Sequence, residues 1–129
     1  MTSRFTELTI DAHDPGKVAD FWCAVLGYRV TESTDEYVEI ASWTPEAEAV
    51  RAGVVPPTLV FAPVPEGKAV KNRLHIDVSP IDSSQDEEVE RLLALGARRV
   101  DIGQGDVGWV VLSDPEGNEF CVLRSLQEP

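Results

Sequence analysis

His75 is the first candidate for a catalytic or binding residue, and it lies in a segment where polar and apolar residues alternate. Arg73, His75 and Asp77 alternate with apolar residues in the segment 73–79. Successive side chains of a β-strand point to opposite faces, so these three are expected to share one face. An imidazole on such a face can act as a general acid or base, or bind a metal or a substrate. The other interpretation is a structural imidazole that is hydrogen-bonded to Asp77 or Asp11.

Four further residues are candidates for contact with a small molecule. Arg73 suits a carboxylate or phosphate group of a substrate, although a surface arginine at a strand start has the same signature. Cys121 suits a reactive thiol or a soft metal ligand, whereas a buried cysteine in a strand usually serves as a small hydrophobe. Trp43 and Trp109 suit the wall of an apolar pocket, and core packing is the alternative for both.

The charge balance excludes several classes of partner. Asp and Glu number 23 against 11 Lys and Arg, which gives a formal net charge of −12. Such a chain repels the phosphates of nucleic acids and the surface of anionic membranes, so neither is expected as a partner. The sequence shows neither a stretch long enough to span a membrane nor a signal peptide, and its two cysteines are expected to be reduced. These features predict a cytoplasmic protein.

Two amphipathic helices are predicted to support the polar face. Asp14 suits the N-cap of the first helix, and Gly27 suits its left-handed C-terminal position. The second helix begins near Ser84 and ends at Gly96, and Glu87 stands at the capping-box distance from Ser84. The predicted buried stripes are Val18, Phe21, Trp22 and Val25 in the first helix, and Val89, Leu92 and Leu93 in the second.

A weak internal repeat organises the chain. The pattern Leu-x-Ile-Asp occurs at 8–11 and again at 74–77, and each copy is followed by a helical stretch, a glycine and a short β-like segment. Longer strands are predicted over 5–12, 37–43, 58–64, 73–79, 108–113 and 119–124, with a loop over 44–57. The order β-α-β-β-β, given twice, predicts an α+β fold whose helices pack on one face of the sheet.

The same alternation predicts which side chains point away from the helices. Leu74 is expected to face the second helix, together with the other apolar residues of 73–79. In the first strand, Glu7, Thr9 and Asp11 are expected on the polar face. If the sheets curl toward each other, this polar face lines a cavity.

Three motifs of the chain resemble those of a known family. They are Asp-Pro-Glu-Gly-Asn-Glu-Phe at 114–120, Asp-Ala-His-Asp-Pro at 11–15 followed by Phe-Trp, and Lys-Asn-Arg-Leu-His-Ile-Asp at 71–77. They are similar to motifs of the vicinal oxygen chelate superfamily, which contains glyoxalases, bleomycin-resistance proteins and dioxygenases, and specifically to its glyoxalase-like branch. The resemblance implies one domain over residues 1–129, with modules at roughly 4–66 and 72–126. Its two βαβββ modules would form curved mixed sheets around a cavity, with the helices outside.

The resemblance also implies where a metal would bind. Metal-using members hold a divalent ion with His and Glu side chains from the first, fourth, fifth and last strands. Carried over by motif, the first position falls on Glu7 and the last on Cys121, where glutamate is usual. The fifth-strand position falls on His75 or Arg73, and the fourth falls on residues 59–61, which carry no ligand type. The implied site is therefore incomplete or altered, with Glu7 and His75 as its remaining ligands.

Three functional interpretations are open from the sequence. The first is a glyoxalase-like lyase, isomerase or dioxygenase-related enzyme that acts on a small organic molecule in the cavity between the modules. His75 would be its acid/base or ligand, supported by the carboxylates of Glu7 and Asp77. The second is a non-catalytic protein of the bleomycin-resistance kind that sequesters a drug or metabolite. The third is a scaffold that uses its sheets for dimerisation, and the resemblance itself implies a homodimer.

Overall fold

A computed structural model describes residues 2–105 and 107–127. The chain folds as two compact units that divide between Gly67 and Lys68. The first unit contains β1 (Glu7–Ala12), α1 (Pro15–Leu26), β2 (Arg29–Ser33), β3 (Val38–Ala41), α2 (Ala47–Ala52) and β4 (Thr58–Pro63). The second contains β5 (Ile76–Val78), α3 (Gln85–Leu95), β6 (Arg98–Arg99), β7 (Val110–Ser113) and β8 (Glu119–Val122).

Each unit is built on one four-stranded mixed sheet, and the two sheets have the same topology. The strand orders are β1-β4-β3-β2 and β5-β8-β7-β6. In both sheets the first and last strands of the unit pair in parallel, and the remaining neighbours are antiparallel. The predicted repeat and the predicted α+β class are therefore confirmed.

The two long helices begin and end where the sequence predicted. The Asp14 carboxylate accepts a hydrogen bond from a backbone N–H of the first turn of α1, and Gly27 ends this helix at φ +70°. At the start of α3, Ser84 and Glu87 form a reciprocal capping box, and Gly96 ends the helix at φ +117°. Among the described residues, no helix has both the length and the apolar character that a membrane crossing requires.

Apolar side chains of the helices and central strands are buried within each unit. Trp22 of α1 is almost fully buried, its ring lies edge-on to that of Phe21 at 5.4 Å, and α1 contacts β3 and β4. The second unit buries Leu92 of α3. The other large buried side chains are Ile40 and Phe61 in the first sheet, and Leu112, Phe120 and Val122 in the second.

Some predictions about the extent of elements are wrong. The strand predicted over 73–79 shrinks to the three residues of β5, and Leu74, expected to face a helix, is 79 % exposed. Trp43 lies beyond the end of β3 and not in the strand. The loop predicted over 44–57 contains α2, because its Ala-rich stretch has good helix formers between the prolines. The other strands for which a range was predicted lie within those ranges and are slightly shorter.

Candidate functional site

Three side chains that can donate to a metal or exchange protons meet on the β5–β8 pair of the second unit. His75 immediately precedes β5, Asp77 lies within it, and Cys121 lies in β8. The parallel register places Asp77 directly beside Cys121. One ligand atom of each residue lies within 4.8 Å of those of the other two. We refer to His75, Asp77 and Cys121 as the β5–β8 cluster.

The imidazole of the cluster is oriented by a carboxylate. His75 Nδ1 donates a hydrogen bond to Asp77 Oδ1 at 3.0 Å, since an ionised carboxylate offers only acceptors. This contact selects the tautomer that carries its proton on Nδ1, so that Nε2 is the ring nitrogen able to accept another proton. The His75 side chain is 41 % exposed, which makes the ring accessible to a small molecule.

The thiol of the cluster is buried and stays protonated. Cys121 Sγ lies 3.9 Å from His75 Nδ1, and the residue is 5 % exposed. Burial raises the pKa of the Cys121 thiol, and the charge and hydrogen-bond acceptance of Asp77 raise it further, whereas the charge of Lys71 acts in the opposite direction. A thiol held protonated in this way is a poor nucleophile at neutral pH.

A shielded polar network holds the segment that leads to His75. Lys68 Nζ forms an ion pair with Glu119 Oε1 at 2.8 Å, and the two side chains are only 19 % and 10 % exposed. The backbone N–H of Asn72 donates to Glu119 Oε2 at 3.0 Å, and the Asn72 amide donates to Asn118 Oδ1 at 2.9 Å. These contacts hold residues 68–72 against the start of β8. This segment lies shortly before His75 in the sequence.

Glu119, the first residue of β8, was not identified as a candidate from the sequence. Burial raises the pKa of the Glu119 carboxyl, but the bond from Lys68 and the backbone N–H of Asn72 outweigh it, so the pKa lies below its usual value. A signal was available, because a glutamate in a strand whose other residues are apolar needs a buried partner. Its partner could not be named without the fold, since Lys68 is far from Glu119 along the chain.

The turn that joins β7 and β8 is built around one buried aspartate. Asp114 Oδ1 accepts hydrogen bonds from the backbone N–H groups of Glu116 and Asn118, both at 2.9 Å. The Gly117 N–H donates to the Asp114 carbonyl at 2.9 Å, and Gly117 adopts φ +88°. This turn sets where β8 begins.

The predicted site residues of the first unit lie on β1 and after β3. Glu7 is exposed on β1, where its carboxylate accepts a hydrogen bond from the Thr9 hydroxyl at 3.4 Å. Trp43 is half-buried, and its Nε1 donates to the Pro56 carbonyl at 2.9 Å, which is a structural contact. Residues 59–61 of β4, at the fourth-strand position of metal-using relatives, are buried and apolar. The ligand set implied by the resemblance therefore does not fit this chain.

Two more predicted residues of the second unit lie at its surface. Arg73 is exposed in the segment just before His75. Trp109 immediately precedes β7 and is 42 % exposed, which does not fit packing in a core. The structure thus brings together His75, Asp77 and Cys121, while Arg73 and Trp109 remain candidates by their exposure.

Comparison with protein families agrees with this architecture. The profile described as a glyoxalase-like domain matches residues 7–123 of the chain. The chain belongs to this glyoxalase-like family. No curated protein matches the sequence.

Solved structures of the wider superfamily share the fold. The fosfomycin-resistance protein FosX from Mesorhizobium loti is similar at TM-score 0.67 and 15% identity, with 95% of this chain and 92% of that chain covered. A mutant of FosX from Listeria monocytogenes, in complex with Mn(II) and a dihydroxypropylphosphonic acid, is similar at TM-score 0.64 and 16% identity, covering 99% and 94%. Glyoxalase I from Leishmania major is similar at TM-score 0.61 and 15% identity, covering 95% and 87%. At these identities the likeness establishes the fold and not the reaction.

Proposed function

We propose that this glyoxalase-like protein is an enzyme that moves a proton on a small organic molecule, as a lyase or isomerase does. The observation that supports the proposal is the 3.0 Å contact between His75 Nδ1 and Asp77 Oδ1 on an accessible face. A carboxylate that orients an imidazole and stabilises its protonated form is a recurrent arrangement in proton transfer. In this proposal His75 Nε2 is the base, and Asp77 is the positioning residue.

The surroundings of the cluster favour a small anionic substrate. Arg73 is exposed two residues before His75, and its guanidinium can hold a carboxylate or phosphonate through two parallel hydrogen bonds. The FosX complex supports the same class, since its ligand is a phosphonic acid. A base placed in this way contributes about 10²–10⁴-fold to the rate of proton transfer.

The proposed chemistry uses side chains of the chain itself. The metal ligands of the superfamily are only partly present, because residues 59–61 are apolar and Cys121 stands where glutamate is usual. We therefore propose that His75 accepts the proton, and we assign no step to a metal ion. The proton is taken up at Nε2 while Nδ1 keeps its hydrogen bond to Asp77.

The proposal is tested by measuring whether the protein catalyses hydrogen–deuterium exchange on a bound small molecule. Small carboxylates and phosphonates, fosfomycin included, are screened for an increase in the melting temperature, and NMR in D₂O then follows hydrogen–deuterium exchange of each hit. We expect wild-type protein to catalyse exchange and His75→Ala to slow it at least about 100-fold. His13→Ala, a change of the other histidine, is the matched control and should leave the exchange rate unchanged. An equal rate in wild type and His75→Ala would exclude His75 as the base.

Sequestration without chemistry is the second candidate function. It is favoured by the exposed ring of Trp109, which can stack on an apolar ligand. In that case a ligand raises the melting temperature of wild-type protein, but its protons do not exchange. Trp109→Ala and His75→Ala would then weaken binding with no chemical change to follow.

We also propose a cytoplasmic homodimer, which is supported by the family resemblance and by the free thiols of Cys23 and Cys121. Light scattering of the purified protein measures the mass in solution. A mass of one chain at micromolar concentration would contradict the dimer.

A further inference from the structure

We propose that Glu119 is a positioning residue of the candidate site. By holding residues 68–73, which we call the basic strap, it sets Lys71 and Arg73 beside the β5–β8 cluster as a pair of cations that binds the anionic group of the substrate. The inference rests on the proposed function for the kind of substrate. It adds to Arg73 a second cation and the contact that fixes both. All of these residues belong to the second unit.

The basic strap has a charge opposite to that of the rest of the chain. It contains Lys68, Lys71 and Arg73, which are three of the 11 Lys and Arg residues, and it contains no Asp or Glu. The remaining 8 Lys and Arg residues (11 − 3) stand against all 23 Asp and Glu residues. On so acidic a chain, an anion is attracted where cations are concentrated. The strap, shortly before His75, is such a place.

Glu119 lies on the same face of the second sheet as the cluster. Successive side chains of a strand alternate between the two faces, and Glu119 precedes Cys121 by two residues in β8. Phe120 and Val122, which point to the opposite face, are almost fully buried. The contacts of Glu119 with the strap are therefore made on the face of the cluster, about 7 Å along the strand from Cys121.

The Glu119 carboxylate holds the strap at two points. Oε1 pairs with Lys68 Nζ at 2.8 Å, and Oε2 accepts a hydrogen bond from the backbone N–H of Asn72 at 3.0 Å. The ion pair is shielded from water, so salt screens it less than it screens an exposed pair. The Asn72 amide adds a bond to Asn118 Oδ1 at 2.9 Å. Two points of the strap, four residues apart, are thus fixed to one carboxylate.

The two remaining cations of the strap flank Asn72, and both are exposed. Lys71 Nζ donates to the Asn72 carbonyl at 3.0 Å, and an ammonium carries three donors. Burial and the charge of Asp77 raise the pKa of the Cys121 thiol, and the charge of Lys71 opposes them. Since Coulomb interactions weaken with distance, this ammonium lies near the cluster. The guanidinium of Arg73 adds a planar pair of donors for an oxyanion.

A positioning role and a simple charge effect predict opposite results for removal of the Glu119 charge. A carboxylate near an anion site repels the anion, so its loss alone would strengthen binding. If Glu119 positions the strap, its loss allows Lys71 and Arg73 to leave the arrangement that binds. The affinity then falls by the fraction of the protein that keeps this arrangement. The direction of the change therefore distinguishes the two explanations.

The test measures binding of methylphosphonate, a small dianion, to the full-length protein by phosphorus NMR at mildly alkaline pH and low salt. We expect saturable binding by wild-type protein. Lys71→Met and Arg73→Met should each weaken it at least about tenfold, because each removes a charge-assisted hydrogen bond. Glu119→Gln should weaken it at least about fivefold, the result for a strap that keeps its position about a fifth of the time.

Two controls separate positioning from charge and from stability. Glu66→Gln removes a carboxylate two residues before the strap and should leave the affinity unchanged or slightly raise it. Ser84→Ala removes the capping box of α3, which destabilises the same unit, and should leave the affinity unchanged. With any substrate whose protons exchange, Glu119→Gln should raise the half-saturating concentration more than it lowers the maximal rate at His75.

Unchanged or tighter binding in Glu119→Gln, no effect of Lys71→Met, or no binding by wild-type protein would overturn the proposal. If Glu119→Gln fails to fold, Asn72→Ala tests the same fixed point of the strap. It removes the amide bond to Asn118 and should weaken binding about threefold, and an unchanged affinity would contradict the proposal. Because the probe is bound and not converted, this result is independent of whether His75 transfers a proton.

Discussion

At the scale of residues, the exposure of the His75–Asp77 pair argues against a purely structural role. The two side chains are 41 % and 45 % exposed, and ion pairs or hydrogen bonds in such positions contribute about 0–1 kcal/mol to stability. A histidine kept for stability alone would be expected in a more buried setting with a shielded partner. The exposure of the pair is consistent with the proposed role of His75 in proton transfer.

Glu119 makes contacts that are expected to stabilise the folded protein. Its carboxylate is shielded, paired with Lys68 and bonded to the Asn72 N–H. We expect Glu119→Gln to lower the free energy of unfolding at pH 7 by about 1–3 kcal/mol, because Lys68 loses its counter-charge. Urea denaturation measures the change. Glu66→Gln, at an exposed position between β4 and β5, is the control and should change the free energy of unfolding by no more than about 0.5 kcal/mol.

The same variant predicts the direction of a pH effect. The pKa of Glu119 is lowered in the folded state, so its ionisation stabilises the protein above the unfolded pKa of about 4.3. This stabilisation is lost as the pH falls through the folded pKa. The difference between wild type and Glu119→Gln should therefore narrow between pH 7 and pH 3. A difference of the same size at both pH values would show that the charge of Glu119 is not responsible.

At the scale of elements, helix ends were predictable because their determinants are local. The N-caps Asp14 and Ser84 and the left-handed glycines Gly27 and Gly96 act within one turn of the helix they bound. The repeat order was predictable for a similar reason, since each unit repeats the same local pattern. These features required no knowledge of which strand pairs with which.

The length of β5 and the composition of the cluster depend on distant contacts. Alternation in 73–79 predicted a longer strand, but the partner strand accompanies only Ile76–Val78, and Asn72 is bonded to Glu119 instead. His75 and Asp77 were placed on one face by local alternation. The approach of Cys121 follows from the β5–β8 register, which no local pattern contains.

Gly117 gives a prediction at this scale. It closes the turn before β8 with φ +88°, a conformation that costs other L-residues about 1–2 kcal/mol. Gly117→Ala should therefore lower the free energy of unfolding by about that amount, measured by urea denaturation. Gly67→Ala is the matched control, because Gly67 has no positive φ and a Cβ there meets nothing within 4 Å. Equal effects of the two changes would contradict the argument.

At the scale of the whole molecule, the two units share their sheet topology but not the side chains of the β5–β8 cluster. Both units have the same strand order, yet the positions equivalent to His75 and Cys121 are occupied in the first unit by Thr9 and Ala62. The β5–β8 cluster thus lies on a sheet topology that the first unit shares without these side chains. In the proposed function, the proton transfer is assigned to the second module alone.

The net charge gives a prediction for the whole chain. With −12 at pH 7, repulsion among carboxylates opposes the folded state, and salt screens it over a distance of about 10 Å at 0.1 M. We expect the melting temperature to rise by a few degrees as NaCl increases from about 10 to 150 mM. KCl should act alike, because screening depends on ionic strength. A constant or falling melting temperature would show that repulsion is not limiting.

The two units differ in the connection that leads into their last strand. In the second unit Asp114 and Gly117 close a tight turn, whereas the first unit uses residues 42–57, including α2, none of whose side chains is buried. Val54 in that connection is 89 % exposed. A fluorophore or a foreign peptide can therefore be attached at Val54 with little disturbance of buried side chains, in the unit that does not contain the β5–β8 cluster.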